Sequence, residues 1–177
     1  MTFKTSLDAH TFYHALYIQN DIYSKKIMLW IRITLIMIPL AITLPMSFVD
    51  PQTDWFIRAF LCATVVGVHG VISKKSREKM LADTAQNIYN SNGGDLNMEY
   101  RIADDAFYAT GPDGKENEFS YRAIEHLAES NDAFVIIMSR DFMHAIRKSD
   151  LSLDERQALA VKFYAKSGLK WRPYKNI

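Results

Sequence analysis

IMLWIRITLIMIPLAITLPMSFV (27–49) and WFIRAFLCATVVGVHGVIS (55–73), separated by DPQTD (50–54), decide how this chain is read. Each run is about as long as the roughly 20 apolar residues that a membrane-crossing helix needs. Arg32 lies little more than a turn from Lys25 and Lys26, so its stem can stay in hydrocarbon while the guanidinium reaches water. Pro39 and Pro45 each delete an intrahelical hydrogen bond and predict a bend. The two runs are therefore expected to form a transmembrane helical hairpin. A secretory signal peptide fits less well, because the run starts late, after Asp8 and Asp21, and no Ala-x-Ala-like site follows. A hairpin buried in a soluble protein is the other reading.

The flanks set the expected orientation. Lys25, Lys26 and Arg32 open the first run and Lys74, Lys75, Arg77 and Lys79 follow the second, while the connecting loop holds Asp50 and Asp54 without a basic residue. Both termini are thus expected in the cytoplasm. The same seven basic residues are candidate contacts for anionic lipid headgroups, worth on the order of 1 kcal/mol each, the alternative being a topology signal alone. Ala59, Ala63 and Gly67 recur every fourth residue and give a candidate helix-packing face, for the first run or for a second copy in a homodimer. His69 is ionisable within the second run, but with no acidic residue at the centre of either run a structural role is preferred over proton relay. Cys62 is the only cysteine, which excludes an intramolecular disulfide and a cysteine-based zinc site.

Outward from the runs, helical spacing continues. Phe12, Ala15, Leu16, Ile22 and Tyr23 form a stripe behind Asp8, a candidate N-cap, and Leu81, Ala85 and Ile88 form another. The hairpin is expected to extend as a two-helix stalk ending at the breaker Asn90-Ser91-Asn92-Gly93-Gly94-Asp95, which divides the chain into 1–94 and 95–177. Residues 3–7 are too few to decide as a strand.

Beyond Gly94 the period changes to two. Leu96, Met98, Tyr100 and Ile102 alternate with polar residues as in a half-buried strand, and Gly111-Pro112-Asp113-Gly114 suits a type I turn between the strands 106–110 and 116–121. Further strands are expected over 125–130, 133–139 and 143–147. Ser152-Leu153-Asp154-Glu155 is a capping box opening a helix to about Ser167, with Leu159 and Phe163 expected inward and Leu153 a third candidate for that face. The expected fold is an α+β membrane protein: a transmembrane hairpin with its stalk, then a small antiparallel partial barrel plugged by a C-terminal helix. The tail around Trp171 and Tyr174 is read as frayed or locally packed, with headgroup insertion as the alternative.

In layout along nearly the whole chain, and more locally over 100–146, the sequence resembles the YcxB-like family of small bacterial membrane proteins. The resemblance rests on Asp105-Ala106-Phe107, the bend Tyr121-Arg122-Ala123-Ile124, the strand 134–138 and the returning Ala145-Ile146-Arg147-Lys148. Tyr121 stands where the family often has tryptophan, and a proline is absent at Ile146. It implies two spans in the bacterial inner membrane and a cytoplasmic domain of pleckstrin-homology type, with no catalytic residues to carry over.

Reactive chemistry is thin. His10 and His14, four apart on a helix, have the spacing by which two imidazoles share a metal, but no third ligand is evident. No Gly-x-Ser-x-Gly elbow, phosphate loop or dinucleotide fingerprint occurs, so no cofactor is expected. A formal net charge of +1 gives no reason to expect nucleic acid. Glu116 and Glu118 are read as a solvated hairpin face, His126 and His144 as polar edge positions that could approach each other, and Arg140, Arg147 and Lys148 as a possible basic rim. The expected function is a non-enzymatic module that binds lipid or an unidentified protein. The alternatives are a subunit of a small oligomeric transporter and a membrane enzyme with a metal at His10 and His14.

Overall fold

The computed structural model describes residues 1–49, 55–94 and 96–174; within the helices, the side chains at 26, 39–40, 42–49, 55–60, 62 and 71 fall outside the description. In chain order the elements are β1 (Thr2–Ser6), α1 (Ala9–Val49), α2 (Trp55–Ser91), β2 (Asn97–Ile102), β3 (Ala106–Thr110), β4 (Glu116–Ser120), β5 (His126–Glu129), β6 (Ala133–Ser139), β7 (Phe142–Arg147), α3 (Leu153–Ser167) and β8 (Trp171–Pro173). They form two compact units, Met1–Asn20 with Leu81–Ile177, and Asp21–Met80.

The first unit carries two four-stranded sheets, ordered β1-β2-β3-β4 and β7-β6-β5-β8. All neighbours are antiparallel except β5 and β8. The period-two residues behave as their alternation requires: Tyr100 and Ile102 of β2 are buried while Arg101 is exposed. Gly114 N–H donates to the Gly111 carbonyl at 3.0 Å, closing the turn between β3 and β4. β1, undecided from sequence, pairs with β2 so that Phe3 faces Tyr100, their rings stacked at 5.6 Å. β8 was not anticipated. Trp171 donates its indole N–H to the Ala160 carbonyl at 2.9 Å and meets Phe134 edge-on at 5.0 Å, so the tail is packed against the domain.

The core lies between the sheets and α3, with Tyr100, Phe107, Tyr121, Leu127, Phe134, Ile136, Ile146, Leu159 and Phe163 buried together. α3 starts at the expected capping box, Ser152 Oγ accepting from Glu155 N–H and Glu155 accepting from Ser152 N–H, and ends at Gly168 in the left-handed region at φ 73°. Along β6, Phe134 and Ile136 turn to this core while Val135 and Ile137 point to the other face, yet all four are buried. The first turns of α1 explain that. Gln19 donates to the Ser139 carbonyl at 3.1 Å and His14 lies 4.0 Å from Asp132, which sets them against the second sheet. Asp8 caps the helix, accepting from Thr11 N–H at 2.7 Å.

Asp150 ties β1 to the end of β7. Its carboxylate accepts from the Thr5 hydroxyl at 2.8 Å, Ser6 N–H at 2.9 Å and Arg147 Nε at 3.1 Å. Burial works against its charge, but the hydrogen bonds from Ser6, Thr5 and Arg147 hold the carboxyl below its ordinary range. Asp150→Ala removes the acceptor of Thr5, Ser6, Arg147 and Ser149 and is expected to cost about 2 kcal/mol in urea unfolding. An unchanged midpoint would show that water replaces the carboxylate.

The second unit consists of residues 21–49 of α1 and 55–80 of α2. Among the described residues, no helix is long and apolar enough to cross a membrane. This corrects the reading of the chain as an α+β membrane protein with spans over 27–49 and 55–73, and with it the multi-pass inner-membrane placement with both termini in the cytoplasm. In α1, Arg32 lies inside the described apolar stretch. In α2 the described stretch is interrupted by Gly67, His69 and Gly70. The side chains of Pro39, Pro45, Trp55, Arg58 and Cys62, and the linker 50–54, lie outside the described residues. α1 and α2 continue beyond the runs, and at those ends Ala15, Ile18, Leu81 and Ala85 are buried within the sheet-bearing unit.

Candidate functional site

Helical spacing gathers the basic flanks of the second unit into one place. On α1, Asp21, Lys25, Met28 and Arg32 follow one another at three- and four-residue steps, as do Gly70, Lys74 and Arg77 on α2, so each set lies along one face of its helix. Together with Ile22 and Leu29 they line a cleft of about 620 Å³. Arg77 is held in place by a 2.8 Å hydrogen bond from Nη1 to the Ser24 hydroxyl. Lys25, Arg32 and Lys74 are exposed. Lys74 also lies 3.8 Å from Glu78, one turn on.

The lining thus has four cations and one carboxylate together with the apolar side chains of Ile22, Met28 and Leu29. A lining of this composition favours a ligand that carries both an anionic and an aliphatic group. Apolar exposure continues along α1, where Trp30, Ile33, Ile36 and Met37 are also exposed. Among the described residues, no serine, cysteine or histidine lines the cleft.

Four of the seven basic residues expected to contact lipid therefore share the cleft. Lys75 and Lys79 are exposed on α2 outside its lining, and the side chain of Lys26 is outside the described residues. Ser24, which positions Arg77, carried no signal in the sequence. Of the candidate helix-packing face, Ala63 and Gly67 are exposed, and a Cβ at Gly67 would meet nothing within 4 Å among the described residues. The side chain of Ala59 falls outside the description, and His69 is exposed.

In the first unit, His10 and His14 do come together, ring centroids 4.1 Å apart, but among the described residues no group of three metal-ligating side chains forms. Burial, then the neighbouring His10, lower the His14 pKa, and Asp132 and Asp8 oppose this. His126 and His144 are not brought together. His126 pairs with Ile137 and His144 with Ile136, which sends their side chains to opposite faces of the sheet. Nor do Arg147 and Lys148 form a basic rim: Arg147 pairs with Asp8 and Asp150, and Lys148 with Glu129 at 2.6 Å. Glu116 is clamped by Arg101 through bonds of 3.0 and 2.8 Å.

No protein-family model and no curated protein matches the chain. Among solved structures it is similar to a chain in the structure of the Spt16D Pob3N heterodimer, at 10% identity and a TM-score of 0.38. That likeness covers 46% of this chain and 48% of the other, about half the neighbour's length, and at this distance it carries neither fold nor function.

Proposed function

We propose that the protein is a non-catalytic module that binds anionic phospholipid, with the headgroup in the cleft between Lys25, Arg32, Lys74 and Arg77. The observation that carries this reading is that four cations and the apolar side chains of Ile22, Met28 and Leu29 line one cleft. The phosphate meets the cations, and acyl chains follow the exposed apolar side chains of Leu29 and Ile33. The attraction is between exposed groups, so it weakens as ionic strength rises and the Debye length falls from about 10 Å at 0.1 M to about 3 Å at 1 M salt.

Each cation near an anionic surface contributes on the order of 1 kcal/mol. Arg32→Ala with Lys74→Ala is therefore expected to weaken association with phosphatidylglycerol vesicles roughly thirtyfold, as read by vesicle co-sedimentation at low salt. Lys75→Ala with Lys79→Ala removes the same formal charge from outside the cleft lining and serves as the comparison. Equal losses in the two double variants would reduce the cleft to nonspecific charge attraction.

A further inference from the structure

Among the described side chains of residues 21–80 none is buried, so those of α1 and α2 do not close a core between them. The apolar surface that would form one faces outward, and it is ordered. On α1, Ile27, Ile31, Thr34 and Ile38 are exposed and follow one another at steps of four, three and four residues. On α2, Leu61, Val65, Val68 and Ile72 are exposed at the same steps. Alternating three- and four-residue steps keep side chains on one line along a helix and are the spacing of a coiled-coil seam.

Both lines lie on the side away from the basic cleft. At about 100° per residue, the line on α1 is centred about 150° from the cleft-lining residues of that helix, and the line on α2 about 170° from Gly70, Lys74 and Arg77. With Trp30 beside the first, the two lines expose on the order of 900 Å². A monomer typically carries an apolar patch of roughly 300–600 Å², whereas a stable interface buries about 800 Å² per partner.

We infer that this face pairs with the same face of a second copy, giving a homodimer in which the four helices form one bundle. Neither line carries a charge over these residues, so the face selects an apolar surface. A fluid acyl surface requires no particular spacing of side chains, whereas a facing helix does, and both helices of this unit carry that spacing. A two-fold axis then sets like seams against each other, each copy placing its side chains in the other's holes. Lys75 and Lys79, exposed beyond Ile72 on the α2 line, put charge at the rim. The cleft is on the reverse side and stays open in the dimer, so the pairing is independent of lipid binding.

The test is sedimentation velocity of the full chain, free of lipid, over a range of concentrations, beside the double variant Val65→Lys with Val68→Lys. Both valines are more than half exposed, so the monomer tolerates the change, and far-ultraviolet circular dichroism checks that it does. The unaltered protein is expected to sediment with twice the mass of the chain. The variant must bury two lysines to pair, so its dimer dissociation constant is expected to rise by about a hundredfold or more. Arg32→Ala with Lys74→Ala, in the cleft, is expected to leave the dimer as it is, which separates this result from that of the vesicle assay. A monomer at every concentration would overturn the inference. So would a mass that climbs past two copies without levelling, or a valine variant that pairs as tightly as the unaltered chain.

Discussion

Phe163→Ala is expected to destabilise the protein by about 4 kcal/mol, the largest effect of any single substitution considered. The ring is fully buried and joins the elements that close the core. Its centroid lies 5.3 Å from Phe107 of β3, 5.3 Å from Tyr121 in the bend after β4, and 6.3 Å from Trp171 of β8. Deleting it loses the transfer free energy of the ring and leaves a cavity that the sheets, tied to each other through hydrogen-bonded pairs, can fill only in part. Val161 is on the same helix and 67% exposed, so Val161→Ala should change stability by no more than about 0.5 kcal/mol. Urea denaturation of the two variants, followed by near-ultraviolet circular dichroism, makes the comparison. Similar midpoints for both would mean that α3 is not held through Phe163.

Acidification is expected to remove about 3 kcal/mol of stability between pH 7 and pH 4 through His144 alone. Burial among aromatic rings lowers the imidazole pKa from 6.5 to about 4. In that window the unfolded chain takes up a proton that the folded chain refuses, so stability falls with pH. The contribution is complete above 6.5, shrinks through the window and levels off below about 4. His14, also lowered by burial, acts in the same direction, whereas Asp8, Asp150 and Glu155, with carboxyl pKa values below their ordinary ones, lose their contributions in more acid solution. His144→Phe isolates the main component: its stability should be flatter between pH 7 and 4 than that of the unaltered protein by about 3 kcal/mol. Parallel pH profiles would show that the imidazole is solvated in the folded state.

Local chemistry explains which elements were legible beforehand. Ser152 and Glu155 announce α3 because a capping box satisfies two orphan N–H groups within four residues. Tyr100 and Ile102 announce β2 because a strand with one buried face must alternate. By contrast β1 is defined by partners at 97–101, a pairing that no local pattern encodes, and β8 is a three-residue strand containing Pro173 whose register comes from β5. His144 was read as a polar edge position because histidine suits a solvated strand. The alternation of Phe142, His144 and Ile146 was the available signal that it faces inward. The apolar runs misled differently: hydropathy measures how much apolar surface a helix carries, and the described stretches are interrupted by Arg32 in α1 and by Gly67, His69 and Gly70 in α2. The basic residues around the same runs were legible as a set, but the selection of Lys25, Arg32, Lys74 and Arg77 for one cleft needed the helical pair.

Binding of the full chain to vesicles of phosphatidylglycerol and of phosphatidylcholine, compared at low and at high salt, tests the anionic-lipid reading most directly. The cleft predicts co-sedimentation with phosphatidylglycerol that is lost at 1 M salt, and at least tenfold weaker association with phosphatidylcholine. Equal association with both lipids, or none with either, would contradict it.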